Sequence, residues 1–139
     1  MTPFRWRDNL SLDVPAVDKD HRHLIDLLNR LRYMALAGDD RQAVGDVLWE
    51  LVQYTAEHFT REEMLMRLSG YPGYKAHRHI HDNLRQRVAD LYTEYRRVPA
   101  TFDVQEFYQF LADWLLMHIL GEDMKIKPYV EKLAEARAA

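Results

Sequence analysis

Glycine and proline cluster at only a few places in this chain, and those places cut it into pieces of helix length. Breaks stand at Gly38-Asp39-Asp40, at Gly70-Tyr71-Pro72-Gly73 and around Val98-Pro99-Ala100-Thr101. Between them apolar residues recur every three or four positions, the period at which one side of an α-helix meets a core. The spacing predicts a first helix from Asp18, a suitable N-cap, to about Ala37, with His21, Leu24, Leu28, Leu31 and Ala35 inward. A second, from about Arg41 to Leu68, carries Val44, Leu48, Leu51, Thr55, His58, Glu62 and Leu65 on one face. The third, from about Tyr74 to Arg96, aligns His77, His81, Leu84, Val88, Leu91 and Tyr95. A fourth follows the cap Asp103 and aligns Val104, Phe107, Leu111, Trp114 and His118. A short further helix is expected over Met124 to Ala139, with Pro128 near its start or at a kink. Helices of similar length joined by short loops favour antiparallel neighbours. The expected fold is therefore all-α: an up-down-up-down four-helix bundle with a short C-terminal helix, one domain over residues 1–139.

That chain length is enough to bury a core. The net charge of -3 gives no electrostatic reason to expect nucleic acid or an anionic membrane surface as a partner. No stretch approaches the roughly 18 apolar residues that a membrane helix needs, so no membrane partner is expected. Met1 to Asn9 holds Arg5, Arg7 and Asp8 and no apolar run, unlike a secretory signal, and the cytoplasm is the expected compartment. Cysteine is absent, so any metal must be held by nitrogen and oxygen.

The histidines are what the helical reading has to explain. His21, His58, His77, His81 and His118 sit on stripes that otherwise carry leucine, valine, phenylalanine and tryptophan, and Glu62 does too. One inward histidine is usually a core residue satisfied by a hydrogen bond. Several imidazoles converging with carboxylates cannot all satisfy one another without a cation, and leaving them unpaired costs several kcal/mol. The topology makes them converge. His21 opens the first helix, His58 and Glu62 close the second, His77 and His81 open the third and His118 closes the fourth. In an alternating bundle these places share one end. His58 and Glu62 are four residues apart, as are His77 and His81, so each pair projects from one face.

Asp123 follows His118 by five residues, and a regular helix turning about 100° per residue would set the two roughly 140° apart. An irregularity is therefore expected between them. It would be either a π-type turn or a helix end near Gly121 whose permissive backbone lets Asp123 swing in. His23 and His79 lie two positions from His21 and His77 and are expected on the solvated surface. Met64 and Met66 read as core filling or surface, since thioethers suit softer metals. Five imidazoles and two carboxylates exceed what one ion can take, whereas two octahedral ions offer about twelve positions. With both carboxylates bridging and a solvent bridge counted at each metal, a single position stays open.

These residues resemble the hemerythrin family, and within it the single-domain bacterial members, the bacteriohemerythrins. The likeness is carried by Val17-Asp18-Lys19-Asp20-His21 with Leu24, by His58-Phe59-Thr60-Arg61-Glu62-Glu63, and by Tyr71-Pro72 before His77-Arg78-His79-Ile80-His81. Trp114-Leu115-Leu116-Met117-His118-Ile119 with Asp123 completes it, and the match runs from Trp6 to about Tyr129. The resemblance implies a centre of two iron ions joined by an oxo or hydroxo ligand. His77, His81 and His118 would hold one iron, His21 and His58 the other, and Glu62 and Asp123 would bridge them. It implies that molecular oxygen binds end-on at the open iron and is released intact. Two positions depart from the family. Asp20 replaces the usual glutamine and is expected to alter the hydrogen bonding of His21 or the charge of the site, and Leu84 stands where an aromatic is frequent.

The expected function is reversible oxygen binding for storage, transport or delivery, by a monomer that passes oxygen to an oxygen-using protein. The chain is not expected to be an enzyme, beyond a side peroxidase activity. The alternatives are a di-iron peroxidase or nitric-oxide-handling enzyme, and an oxygen or redox sensor acting through a separate partner. There is no Glu-x-x-His pair of the kind that carboxylate-rich di-iron centres use. A dry pocket would suit a carrier, and Leu24, Leu28, Phe59, Trp114 and Ile119 are its candidate walls.

Overall fold

Residues 2–38 and 41–138 are described by the computed structural model. Asp39 and Asp40 of the first expected break, with Met1 and Ala139, lie outside the described residues. The helices are α1 (Pro15–Ala37), α2 (Arg41–Leu68), α3 (Tyr74–Arg97), α4 (Val104–Gly121) and α5 (Lys127–Ala138). Among the described residues there is no strand, and no helix is long and apolar enough to cross a membrane.

The helix ends follow local chemistry, with one correction. α1 starts at Pro15 and not at Asp18, because proline needs no N–H partner at a first helical position and arrives with its φ preset. Asp18, one turn in, instead accepts the Leu12 N–H at 2.9 Å and the Ser11 hydroxyl, tethering the preceding segment. Gly38 ends α1 in the left-handed conformation at φ 71°, with its N–H on the Met34 carbonyl. Asp103 caps α4 as expected, accepting the Glu106 N–H at 3.0 Å. Pro128 falls in the first turn of α5, where it does not kink the helix.

α1 packs on α2 and α4, and α2 packs on α3, giving four long helices that alternate in direction. Leu28, Leu31, Leu48, Leu51, Val88, Phe107 and Leu111 fill the shared interior. Each such side chain contributes about 1.5–3 kcal/mol on burial, which carries most of the helices' stability. The N-terminal arm closes over α1 and α4. Asn29 grips both the N–H and the carbonyl of Phe4, at 2.9 and 2.7 Å, and the Tyr108 hydroxyl donates to the Thr2 carbonyl at 2.9 Å.

A second, smaller cluster of Met66, Ile126 and Val130 pins α5 against the end of α2. It fixes the stretch between α4 and α5, where Asp123–Lys125 form a 3₁₀ turn. The irregularity expected after His118 is here. α4 ends at Gly121, Glu122 takes φ −110°, and the chain tightens so that Asp123 turns into the bundle. The glycine is not the cause, since positive φ is confined among glycines to Gly38 and Gly70.

Candidate metal centre

The site end of the bundle buries seven polar side chains: His21 on α1, His58 and Glu62 on α2, His77 and His81 on α3, His118 on α4, and Asp123 just beyond it. None is more than 5% exposed. Their ligand atoms form two groups, Glu62, His77, His81, His118 and Asp123 on one side and His21, His58, Glu62 and Asp123 on the other. The carboxylates belong to both, and they divide their oxygens between them. Glu62 Oε1 lies 3.1 Å from His77 Nε2 and 3.2 Å from His81 Nε2, while its Oε2 lies 3.2 Å from His58 Nε2 and 3.6 Å from His21 Nε2. Asp123 Oδ1 lies 3.1 Å from His77 Nε2 and 3.0 Å from His118 Nε2, and its Oδ2 lies 3.1 Å from His21 Nε2. This is the arrangement of two carboxylates spanning a pair of positions.

These atoms crowd one another without bonding well. His118 Nε2 is 3.1 Å from both His77 Nε2 and His81 Nε2, and one proton cannot satisfy both contacts. His21 Nε2 and all four carboxylate oxygens are buried and, despite neighbours at about 3 Å, make no hydrogen bond of acceptable direction. The ligand atoms of each group lie within 4.8 Å of one another, close enough for one cation to meet them all. An ion with bonds of about 2.1 Å sets adjacent ligands about 3 Å apart, so the residues fit a cation in each group. An all-nitrogen-and-oxygen donor set suits a borderline first-row metal.

The electrostatics ask for positive charge there too. Burial alone disfavours the His21 imidazolium, but Asp123 and Glu62 outweigh it and push its pKa up to about 10. His77 behaves likewise, its pKa pushed up to about 9 against burial by the same two carboxylates. Burial and the Glu62 charge oppose ionisation of Asp123, yet the imidazoles of His118 and His21 hold it below the usual carboxylate range. Glu62 is held well down against burial by His21 and His58.

An outer layer orients the rings. Asp20 Oδ2 stands 3.0 Å from His58 Nδ1, and Glu63 Oε2 stands 2.7 Å from His81 Nδ1. Each of these carboxylates is also held by an arginine, Asp20 by Arg61 at 2.8 and 3.0 Å and Glu63 by Arg85 at 2.9 Å. Phe59 stacks on the His81 ring at 3.8 Å and Trp114 on the His118 ring at 4.3 Å between centroids. Beside the site lies a small apolar cavity bounded by Leu24, Leu28, Leu51, Thr55, Phe59, Leu84, Leu111, Trp114 and Leu115. It offers about 10 Å³ to the centre of a water-sized molecule. Ile119, expected as a wall, is buried outside it.

All seven residues singled out from the sequence thus meet at one end of the bundle. His79 is exposed, as expected, and Met64 and Met66 stand apart from the ligand groups. His23 differs, being half-buried with its ring 4.2 Å from that of Tyr54. Asp20 also corrects an expectation. It neighbours His21 in the chain but serves His58, because consecutive residues diverge by about 100° around α1 and this one faces α2. Sequence reasoning gave no role to Tyr54, Arg61, Glu63 or Arg85. The available signal was their placement: Arg61 and Glu63 flank Glu62, and Arg85 follows His81 by one turn.

Comparison with known proteins agrees with this geometry. The family model for the hemerythrin HHE cation binding domain matches residues 12–130. The bacteriohemerythrin of Stenotrophomonas maltophilia is 38% identical over 135 residues, covering 93% of this chain and 85% of the relative. That of Pseudomonas aeruginosa is 37% identical over 125 residues, covering 88% and 78%. A crystal structure of wild-type hemerythrin superimposes with a TM-score of 0.85 at 29% identity, covering 93% of this chain and 98% of the other. With a matching family model over most of its length and relatives above 30% identity, the chain belongs to the hemerythrin family.

Proposed function

We propose that this chain, folded as one domain over residues 1–139, binds molecular oxygen reversibly at two iron ions and serves oxygen storage, transport or delivery. His77, His81 and His118 would hold one iron, His21 and His58 the other, with Glu62 and Asp123 bridging. The observation that carries the reading is the division of the ligand atoms into groups of five and four residues sharing two carboxylates. With one solvent ligand common to both, the larger group would fill about six positions and the smaller would leave one for a small molecule. An iron pair held by these residues would supply the reversible electron donation that oxygen binding needs.

The chain's own residues supply the rest. Asp20 and Glu63 hold His58 and His81 by their Nδ1 atoms, which leaves each Nε2 free to ligate. Phe59 and Trp114 stack against His81 and His118 and keep those rings from turning. The cavity walls are apolar but for the Thr55 hydroxyl and the Trp114 indole, so no acid stands there to deliver protons. Limiting proton supply favours release of intact oxygen over its reduction, which supports a carrier over an enzyme. On the same reading the protein works in the cytoplasm as a monomer and passes oxygen to an oxygen-using protein.

The test is a visible spectrum of iron-loaded protein taken from anaerobic to aerobic conditions and back. Two irons per chain, with a charge-transfer band that grows on oxygen and vanishes on its removal, are expected. A single zinc per chain, or a spectrum indifferent to oxygen, would overturn the reading. Peroxide turnover lost in His77→Ala would instead favour the enzyme.

A further inference from the structure

Asp20 is a buried carboxylate with every acceptor site in use. Its Oδ1 accepts from the Tyr54 hydroxyl at 2.8 Å and from Arg61 Nη2 at 3.0 Å. Its Oδ2 accepts from Arg61 Nε at 2.8 Å and faces His58 Nδ1 at 3.0 Å. A bidentate guanidinium and a hydroxyl donor require the carboxylate to be ionised. An ionised carboxylate only accepts, so the proton of this last contact belongs to His58 Nδ1. His58 Nε2 is then left with its lone pair, aimed at the smaller ligand group.

The other half of the centre throws this into relief. His81 is held in the same manner by Glu63, but within the smaller group His21 Nδ1 is buried and has no hydrogen-bond partner among the described residues. Asp20 is thus the one outer carboxylate engaging an imidazole of that group among the described residues. The likeness noted in the sequence would usually put a neutral glutamine at this position, where this chain carries a carboxylate.

We infer that Asp20 is a positioning residue that fixes the tautomer of His58 and lowers the reduction potential of the ion held by His21 and His58. The inference rests on the two-iron reading of the site. A carboxylate hydrogen-bonded to a ligating imidazole makes it a stronger electron donor, which stabilises the higher oxidation state. Tyr54 moderates the effect: its hydroxyl draws on the charge that Asp20 offers to His58.

Two variants test this with opposite signs. Each is loaded anaerobically with ferrous iron, challenged with a ferrous chelator, and titrated electrochemically. In Asp20→Asn one iron per chain should be lost about tenfold or more easily, the other held as before, and the midpoint potential should rise. In Tyr54→Phe both irons should stay, and the midpoint should fall, because Asp20 then gives more of its charge to His58. A merely structural role would move both variants the same way, together with a lower melting temperature of the metal-free protein. That result overturns the inference, as does Asp20→Asn with wild-type iron affinity and potential. Should Asp20→Asn fail to fold, Tyr54→Phe decides alone, and an unchanged or raised midpoint refutes the inference. Failure of the unaltered protein to hold two irons would instead strike the reading of the site.

Discussion

Stripping the metal should make the protein's stability fall with rising pH in a range where most proteins are indifferent. Without cations, Glu62 and Asp123 are neutralised by protons on the imidazoles around them. The pKa of His21 is pushed up to about 10 from 6.5 in the unfolded chain. A group whose pKa is raised on folding stabilises the fold fully below the unfolded value and loses that contribution as pH climbs through the folded one. The window is therefore pH 6.5 to 10. A shift of that size sets a ceiling of about 5 kcal/mol for His21. His77 draws on the same two carboxylates, so the two contributions overlap and do not add. A realised loss of about 2–4 kcal/mol corresponds to a fall in Tm of roughly 5–15 °C for a chain of this size. The assay is thermal unfolding of chelator-treated protein at intervals from pH 6 to 10, beside the same series on iron-loaded protein. Bound metal takes the place of the protons, so the loaded series should lack the decline. A metal-free Tm that is level or rising between pH 6.5 and 10 would refute the reasoning.

Two substitutions probe the register and the backbone. His81→Ala should lose iron, measured as metal per chain, whereas His79→Ala should retain both ions; His23→Ala should also retain them but lose a few tenths of a kcal/mol with the Tyr54 contact. Gly121→Ala should leave iron content unchanged and raise stability by up to about 1 kcal/mol in chemical denaturation, because a methyl group there meets nothing within 4 Å and the backbone is helical. A loss of iron from Gly121→Ala would show that the turn to Asp123 does depend on the glycine.

What could be read from the sequence was whatever periodicity encodes. The bounds of α2 and the capping of α4 follow from apolar spacing and a single aspartate, and the seven buried ligand candidates declared themselves by standing in place of leucine. The start of α1 is ambiguous in the sequence because Asp18 and Pro15 both signal a helix start, and in the structure the proline, lying earlier, prevails. The partner of Asp20 could not be read at all. Adjacency along the chain says nothing about which neighbouring helix a side chain faces, and the bond to His58 joins residues 38 positions apart. The roles of Arg61 and Arg85 stayed hidden for a related reason, since a charged residue on a helix flank usually belongs to a solvated surface.

The sharing of Glu62 and Asp123 also sets an order of assembly. The larger ligand group draws on α2, α3, α4 and the turn after it, and the smaller on α1, α2 and that same turn. A chain is made from its N-terminus, so His21, His58 and Glu62 emerge first, and Asp123 arrives after every other ligand. Neither group is whole until that last carboxylate has turned in. The nascent chain therefore offers passing metals only incomplete groups, His21, His58 and Glu62 first and then Glu62 with the histidines of α3 and α4. A metal caught earlier would be held without Asp123 in either group, by at most four residues in the larger and three in the smaller, and would be easier to displace.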